Sequence, residues 1–139
     1  MDTPSDGWEY LGRHPIRFEP PDIVICRPIG AVTADDVRAG MAYLDRTSKQ
    51  IGRGVIYLAD LSELTRYAPE MVLQNFKSFP VGAMRASAMF GANAYQRAVT
   101  DMILRATRLL GLEIGRIPIA SFPDEAAARA WVEELRRKG

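Results

Sequence analysis

The chain has 139 residues, 47% of them hydrophobic and 25% charged, and its 18 basic and 17 acidic residues leave a net charge of +1. This length and composition predict one globular domain with a substantial core. The balance of charge argues against a general nucleic-acid binder, which carries a clear basic excess, and no run approaches the roughly 18 apolar residues of a membrane span.

The N-terminus and the single cysteine bear on the expected compartment. The first ten residues are acidic and polar, without the basic and apolar regions of a signal peptide. Because Cys26 is the one cysteine, no internal disulfide forms, and a reducing cytoplasm fits best. We expect a flexible N-terminus over residues 1–7 and one domain over residues 8–137, in a cytoplasmic protein.

Extended segments open the predicted domain. Residues 8–11 and 16–19 are predicted as one strand broken near Pro15, and residues 23–28 as a second strand after the turn signal of two prolines. So short a link predicts antiparallel pairing. Cys26, within the second strand, is interpreted as a small buried hydrophobe, with a reactive thiol as the alternative.

Helices and strands alternate through the middle of the chain. Thr33 is predicted to cap a helix that fades near residue 48. Residues 55–58 form a continuous apolar run, which is typical of a strand covered on both faces. Pro69 is predicted to begin a second helix, because proline suits the first helical turn.

The last part of the chain continues this alternation. Residues 85–90 are predicted as a strand, residues 94–110 as a long helix, and residues 117–122 as the last strand, with Asp124 capping a final helix. The predicted apolar face of the long helix comprises Val99, Met102, Ile103, Ala106 and Leu110. The order β-β-α-β-α-β-α-β-α predicts a single α/β domain, with a mostly parallel sheet of about five strands, an antiparallel N-terminal strand and about four helices.

Three segments of the chain resemble a known family. They are the opening hairpin, the central strand followed by Asp60-Leu61-Ser62, and Phe122-Pro-Asp124-Glu125-Ala126 with Ala130-Trp131-Val132 in the final helix. Together they resemble the SpoIIAA-like (STAS) domains, in particular the branch often labelled STAS/SEC14-like, over about residues 8–135. The resemblance implies a small fold of sequential β-α units. That family includes anti-sigma-factor antagonists, domains appended to anion transporters, and many stand-alone proteins.

The phosphorylation switch of the antagonists has no match in this chain. In those relatives an Asp-Ser-Ser/Thr-Gly motif begins the helix after the central strand, and a partner kinase phosphorylates its serine or threonine. Here the corresponding stretch is Thr65-Arg66-Tyr67-Ala68-Pro69-Glu70, which contains no serine and no glycine. The resemblance therefore implies a regulatory or protein-interaction module without the phosphoserine switch.

The carboxyl end of the central strand is the predicted site for a partner or ligand, because open α/β sheets bind there. Asp60, Ser62 and Thr65 form a polar cluster, in which Ser62 or Thr65 could be phosphorylated. The alternative is that Asp60 and Ser62 hydrogen-bond the turn backbone. Arg66 and Tyr67 could hold an anionic or flat ligand or anchor an interface, with a solvated sheet edge as the alternative.

Two further features belong to the long helix. Asn93 precedes it and could mark an anion site at the helix N-terminus, although a simple N-cap is the competing interpretation. Arg97, Arg105 and Arg108 could dock an acidic partner, and ion pairs with Asp101 are the alternative.

The sequence contains no recognisable catalytic or metal-binding constellation. His14 is the single histidine and is expected at the surface. With one histidine and one cysteine in the chain, a metal site would lack ligands. No arrangement of Ser, Cys and His suggests a nucleophilic triad. We therefore predict that the protein is not an enzyme and needs no cofactor.

Methionine and phenylalanine residues suggest an alternative function. They could line a soft apolar pocket for a lipid-like ligand, closed by the second helix and residues 74–81. A plain core is the competing interpretation. The residues concerned are Met41, Met71, Met84, Met89, Met102, Phe76, Phe79, Phe90 and Leu104.

Partners are predicted from the surface and from the resemblance. Phe76, Phe79, Pro80 and Val81 are close in sequence, and an exposed apolar patch there predicts a homodimer. The leading expectation is thus a non-enzymatic module that binds a protein partner, with no nucleic-acid partner and no membrane span. Binding of a small apolar ligand is the alternative.

Overall fold

The computed structural model describes residues 7–66, 69–80 and 82–138 as an α/β domain. Its main sheet has the order β1-β2-β3-β5-β7-β8 and contains β1 Glu9–Leu11, β2 His14–Glu19, β3 Ile23–Cys26, β5 Val55–Asp60, β7 Met84–Phe90 and β8 Ile119–Phe122. A small second sheet pairs β4 Gly30–Ala31 with β6 Leu64–Arg66. The helices are α1 Ala34–Ile51, α2 Pro69–Phe76, α3 Ala94–Leu109 and α4 Glu125–Lys138, with a 3-10 turn over Glu113–Arg116.

The strand directions agree with the predicted fold class. β1, β2 and β3 pair antiparallel in sequence, and β3, β5, β7 and β8 pair parallel. The prediction of one broken opening strand is wrong, because the chain turns at residues 12–13 and returns as β2. The main sheet therefore has six strands in the described residues, one more than predicted.

The two faces of the main sheet carry separate parts of the core. Ile25, Leu58 and Ala88 point towards α4, where they pack with Ala128 and Val132. The alternate residues of the same strands point the other way, because side chains alternate along a strand. On that second side the sheet packs against residues of α1, the 3-10 turn and the half-buried Phe76 and Phe79.

Ion pairs fasten α4 to the sheet at two points. Arg129 donates to both carboxylate oxygens of Glu19, at 3.0 and 3.1 Å. Further along the helix, Arg136 contacts Asp22, whose carboxylate also contacts Arg85. The Asp22 side chain is only 2% exposed. Burial by itself would raise the pKa of Asp22, but hydrogen bonds and charges from Arg136 and Arg85 hold that pKa below its usual value.

The N-cap predicted for α1 is confirmed. The Thr33 hydroxyl accepts a hydrogen bond from the Asp36 N–H at 3.1 Å, and the Asp36 carboxylate accepts one from the Thr33 N–H at 2.9 Å. This reciprocal capping box fixes the start of the helix. α1 is closed at its C-terminus by Gly52, the residue after Ile51, whose φ of 80° is the left-handed conformation that favours glycine.

The apolar face predicted for α3 is only partly right. Val99 and Ile103 are buried, but Met102 and Leu110 are exposed. The buried side of α3 also includes Gln96 and other polar residues. A prediction from apolar residues alone therefore placed the middle of the buried face at the wrong position. Among the described helices, none is long and apolar enough to cross a membrane.

Candidate functional site

The loop after β5 is closed by its own hydrogen bonds. Asp60 Oδ1 accepts one from the Ser62 backbone N–H at 3.0 Å and another from the Ser62 hydroxyl at 2.7 Å. Gly91 lies against this turn with φ of 77°, and a Cβ there would come within 3.2 Å of Ser62. Asp60 and Ser62 thus adopt the turn-bonding arrangement, which leaves phosphorylation of Ser62 an open prediction.

Thr65 and Arg66 follow this loop on β6 and have exposed side chains. The Arg66 carbonyl accepts a hydrogen bond from the Val32 N–H at 2.9 Å, which joins β6 to β4. Such short strands carry too little pattern to be recognised in a sequence, and they were not predicted. Thr65 and Arg66 stay predicted partner-binding residues, whereas Tyr67 lies outside the described residues.

Asn93 forms the N-cap of α3. Its side chain accepts a hydrogen bond from the Gln96 N–H at 2.8 Å, and the Gln96 side chain accepts one from the Asn93 N–H at 2.9 Å. The buried Gln96 amide also donates to the Leu64 carbonyl at 2.7 Å, and so ties α3 to β6. Sequence reasoning missed Gln96, although a Gln three residues after an Asn cap is the signal of a capping box.

The predicted ion pairs on α3 do not form within the described part of the chain. Arg97 donates to the Ala92 carbonyl at 2.8 Å instead. Asp101, Arg105 and Arg108 are exposed side chains. The charges of this helix therefore remain open to other contacts.

A cavity of about 250 Å³ lies between the main sheet and the helices α1, α2 and α3. Most of its lining is apolar. The helices contribute Val37, Gly40, Met41, Leu44, Val72, Phe76, Thr100, Ile103 and Leu104, and the strands contribute Ile16, Cys26, Tyr57, Ala59, Met84, Ser87 and Met89. A partly open apolar space with few polar groups is the usual form of a small-ligand site.

The predicted apolar pocket is largely present. Six of the nine residues proposed for it line the cavity: Met41, Met84, Met89, Phe76, Phe79 and Leu104. Phe90 packs on the opposite face of the sheet and Met102 is exposed, so both were wrongly included. The side chain of Met71 lies outside the described residues.

Phe76 and Phe79 belong to the cavity wall. Their rings meet edge to face, with centroids 6.2 Å apart, and both side chains are half-buried. Phe76 and Phe79 therefore contribute less exposed apolar surface than the homodimer prediction assumed. Val81, which belongs to the same predicted patch, lies outside the described residues. The homodimer itself stays a prediction.

His14 corrects the sequence prediction, because it is buried and only 3% exposed. Its Nδ1 accepts a hydrogen bond from the Ile29 N–H at 3.0 Å, and its Nε2 lies 2.9 Å from an Asp36 carboxylate oxygen. With Nδ1 accepting, the proton lies on Nε2 and is donated to Asp36. Burial acts to raise the pKa of Asp36, but hydrogen bonds from Thr33 and His14 hold it below its usual value.

The second polar pair in the cavity wall is Cys26 and Tyr57. Burial raises the pKa of the Cys26 thiol to about 11, although the neighbouring Tyr57 hydroxyl acts to lower it. Burial also raises the pKa of Tyr57 well above its usual value. Cys26 is therefore a neutral thiol near pH 7, as its predicted buried position implies. In the described part of the chain, no group of three His, Cys, Asp or Glu could hold a metal ion.

A solved structure of similar architecture is that of an uncharacterized DUF3478-family protein with a SpoIIAA-like fold from Shewanella loihica PV-4. The two chains are 19% identical, and the match covers 84% of this chain and 89% of that one with a TM-score of 0.52. This similarity confirms a SpoIIAA-like fold, as the resemblance implied. No protein-family model and no curated protein matches the chain.

Proposed function

We propose that this protein is a non-enzymatic binding module that holds a small apolar ligand in the cavity under α1, α2 and α3. The observation that carries the proposal is the apolar void of about 250 Å³ in the core. Protein interiors are close-packed, and voids larger than a water molecule are few. A space of this size and lining suits a ligand better than it suits water, which needs polar partners.

The energetic cost of the void supports the same proposal. At about 24 cal/mol per Å³, a fully enclosed void of this volume would cost about 6 kcal/mol, and the partial opening of this cavity to the surface lowers that figure. The whole stability of a domain is about 5–15 kcal/mol. A bound apolar molecule restores the missing van der Waals contacts and offsets this cost.

The absence of enzymatic activity is part of the proposal. Among the described residues of the cavity wall, the acid and base candidates His14 and Asp36 are hydrogen-bonded to each other, and burial keeps the Cys26 thiol neutral. A neutral buried thiol is a poor nucleophile, since the thiolate is the reactive form. We therefore assign these side chains a structural role in the cavity wall and not a catalytic one.

Binding of cumene, an apolar molecule of suitable size, tests the proposal. Gly40 lines the cavity, and a Cβ built on it would meet no atom within 4 Å. Gly40→Leu should therefore fill the space. Calorimetric titration is expected to detect cumene binding to the wild type and to show its loss in Gly40→Leu.

The matched control is Ala39→Leu, which adds a leucine to the neighbouring exposed position of α1. It should bind cumene as the wild type does. If the wild type fails to bind cumene, or if Gly40→Leu binds it equally well, the cavity is not a ligand site.

A second candidate function, interaction with a protein, is favoured by an exposed stripe on α3. Tyr95, Met102 and Leu109 recur every seventh residue and are 75%, 53% and 89% exposed. Seven residues make about two helical turns, so these side chains lie along one side of the helix. Contiguous exposed apolar surface of this kind marks a contact site.

We infer that the occupant of this stripe is a second copy of the chain, because the neighbouring charges are complementary. Asp101 and Arg105 are exposed residues of α3 that lie beside the stripe. They form no ion pair with a described residue. When two α3 helices pack antiparallel about Met102, Asp101 of each copy lies on the same flank as Arg105 of the other, offset along the axis by two residues, or about 3 Å. The pairing therefore makes two ion pairs beside one apolar seam.

Sedimentation at micromolar concentration tests this self-association. The wild type is expected to be a dimer and Met102→Glu a monomer, while Glu134→Lys, on the exposed side of α4, stays dimeric. Asp101→Arg should weaken the dimer, and adding Arg105→Asp should restore it. A wild type that sediments only as a monomer would contradict the proposal that a second copy of the chain covers the stripe.

A further inference from the structure

The floor of the cavity carries two hydroxyl groups on neighbouring strands. Tyr57 of β5 and Ser87 of β7 are paired in register, so their side chains point to the same face of the sheet. Both residues line the cavity. These hydroxyl groups are therefore the candidates to hydrogen-bond a polar group of a ligand.

Of these two hydroxyls, that of Ser87 has no partner. The Ser87 residue is 5% exposed, and its hydroxyl forms no hydrogen bond with any residue that the structure describes. Its backbone N–H is used, and donates to the Pro118 carbonyl at 3.0 Å. The Tyr57 hydroxyl, by contrast, has the Cys26 thiol as a neighbour. The Ser87 hydroxyl is therefore left to bond the contents of the cavity, either water or a polar group of a ligand.

The charge of the lining argues against an anionic ligand. None of the 18 lysine and arginine residues lines the cavity, and all of them belong to the described part of the chain. Among the described residues, the lining contains one carboxylate, Asp36, which is bonded to His14. A buried ligand carboxylate or phosphate would therefore find no counter-charge, and burying an unpaired charge is very costly.

The volume sets the size of the ligand. An apolar cavity of about 150 Å³ holds a benzene molecule. In proportion, the cavity of about 250 Å³ has room for about ten non-hydrogen atoms. Long acyl chains exceed this space, whereas a short chain or a substituted ring fits it.

We propose that the ligand is a neutral, mainly apolar molecule of about ten non-hydrogen atoms whose one carbonyl or hydroxyl oxygen accepts a hydrogen bond from Ser87. This inference rests on the proposed ligand-binding function. Ser87 is then the residue that determines ligand orientation, and the apolar wall supplies most of the affinity.

Three probes of one shape test the inference: cumene, acetophenone and benzoate. Acetophenone replaces one methyl group of cumene by a carbonyl oxygen, and benzoate carries a negative charge. Affinities are measured by calorimetry at pH 7 for the wild type, for Ser87→Ala, and for the control Ser121→Ala, which changes an exposed serine of β8.

The ratio of acetophenone affinity to cumene affinity is expected to fall about fivefold in Ser87→Ala, because one hydrogen bond is lost. It should not change in Ser121→Ala. Benzoate should bind the wild type about a hundredfold more weakly than acetophenone, or not at all.

The outcomes separate the two proposals. If cumene fails to bind the wild type, the ligand-binding function itself is wrong. If cumene binds but the affinity ratio is the same in the wild type and Ser87→Ala, the cavity is a ligand site and the role of Ser87 is wrong. If benzoate binds as well as acetophenone, the ligand is not restricted to neutral molecules.

Discussion

The two faces of the main sheet are built from the same strands and are covered in different ways. The filled face, defined by Ile25, Leu58 and Ala88, lies under the single helix α4, and none of its buried residues lines the cavity. The cavity face, defined by Tyr57, Ala59 and the other lining residues, lies under three helices. One helix with small residues can lie close to a sheet, whereas three helices meeting over it leave space between them. We infer that the filled face supplies stability and the cavity face supplies function.

Truncating one leucine on each face tests this comparison with the largest expected effect. Leu58→Ala on the filled face should lower the free energy of unfolding by about 4 kcal/mol, because a fully buried side chain leaves a new void. Leu44→Ala on the cavity face should cost only about 2 kcal/mol, because Leu44 already borders empty space on one side. Urea denaturation measures both, and equal losses would contradict the distinction.

The ion pairs that hold α4 give the next largest effect. Asp22→Asn removes the buried charge between Arg136 and Arg85. The expected cost is about 3 kcal/mol, at the low end for breaking a buried pair, because both arginines keep some contact with water. The control Glu134→Gln changes an exposed carboxylate on the same helix and should have little effect.

The same pair has a defined pH dependence. The pKa of Asp22 is lower in the folded protein than in the unfolded chain, so its contribution is fully present above the unfolded value of about 3.9. It is lost as the pH falls through the folded pKa. Stability measured from pH 6 down to pH 2 should therefore fall less steeply in Asp22→Asn than in the wild type. Parallel curves would show that Asp22 carries no such linkage.

Much of the fold could be predicted because its signals are local. Thr33 and Asp124 cap helices as predicted, and Asn93 does so in agreement with the competing interpretation, since an N-cap depends on residues within one helical turn. The long apolar run of β5 and the antiparallel hairpin were equally clear. The strands β4 and β6 were not predicted, because they have two and three residues and exist through their pairing with each other.

The candidate site was harder to predict because it depends on distant contacts. His14 was expected at the surface, yet Asp36 on α1 and the Ile29 N–H complete its hydrogen bonds in the interior. Most of the apolar residues of the pocket were identified from the sequence. The same pattern of residues, however, is expected for a cavity wall and for a filled core, so the sequence could not distinguish between them. That difference depends on how α1, α2 and α3 meet over the sheet.

Enlarging one alanine on each face tests the same comparison in the opposite direction. Ala88→Leu on the filled face should cost about 2 kcal/mol, because extra atoms in a close-packed core force strain. Ala59→Leu on the cavity face should change stability little, since the new atoms enter existing space. Thermal unfolding measures both changes. A loss in Ala59→Leu as large as in Ala88→Leu would mean that the cavity face is packed as tightly as the other.

The smallest expected effect is a gain in stability from Gly40→Ala. Gly40 lies inside α1 with helical backbone geometry, and its new Cβ would meet no atom within 4 Å. Alanine reduces the freedom of the unfolded chain and favours the helix, so we expect a gain of about 0.5–1 kcal/mol. Gly52→Ala at the end of the same helix is the contrasting control. It should destabilise the protein, because Gly52 has a φ of 80° that alanine adopts only with strain. If Gly40→Ala also destabilises the protein, the wall at this position has no room for a methyl group, and the cavity is smaller beside α1 than its lining indicates.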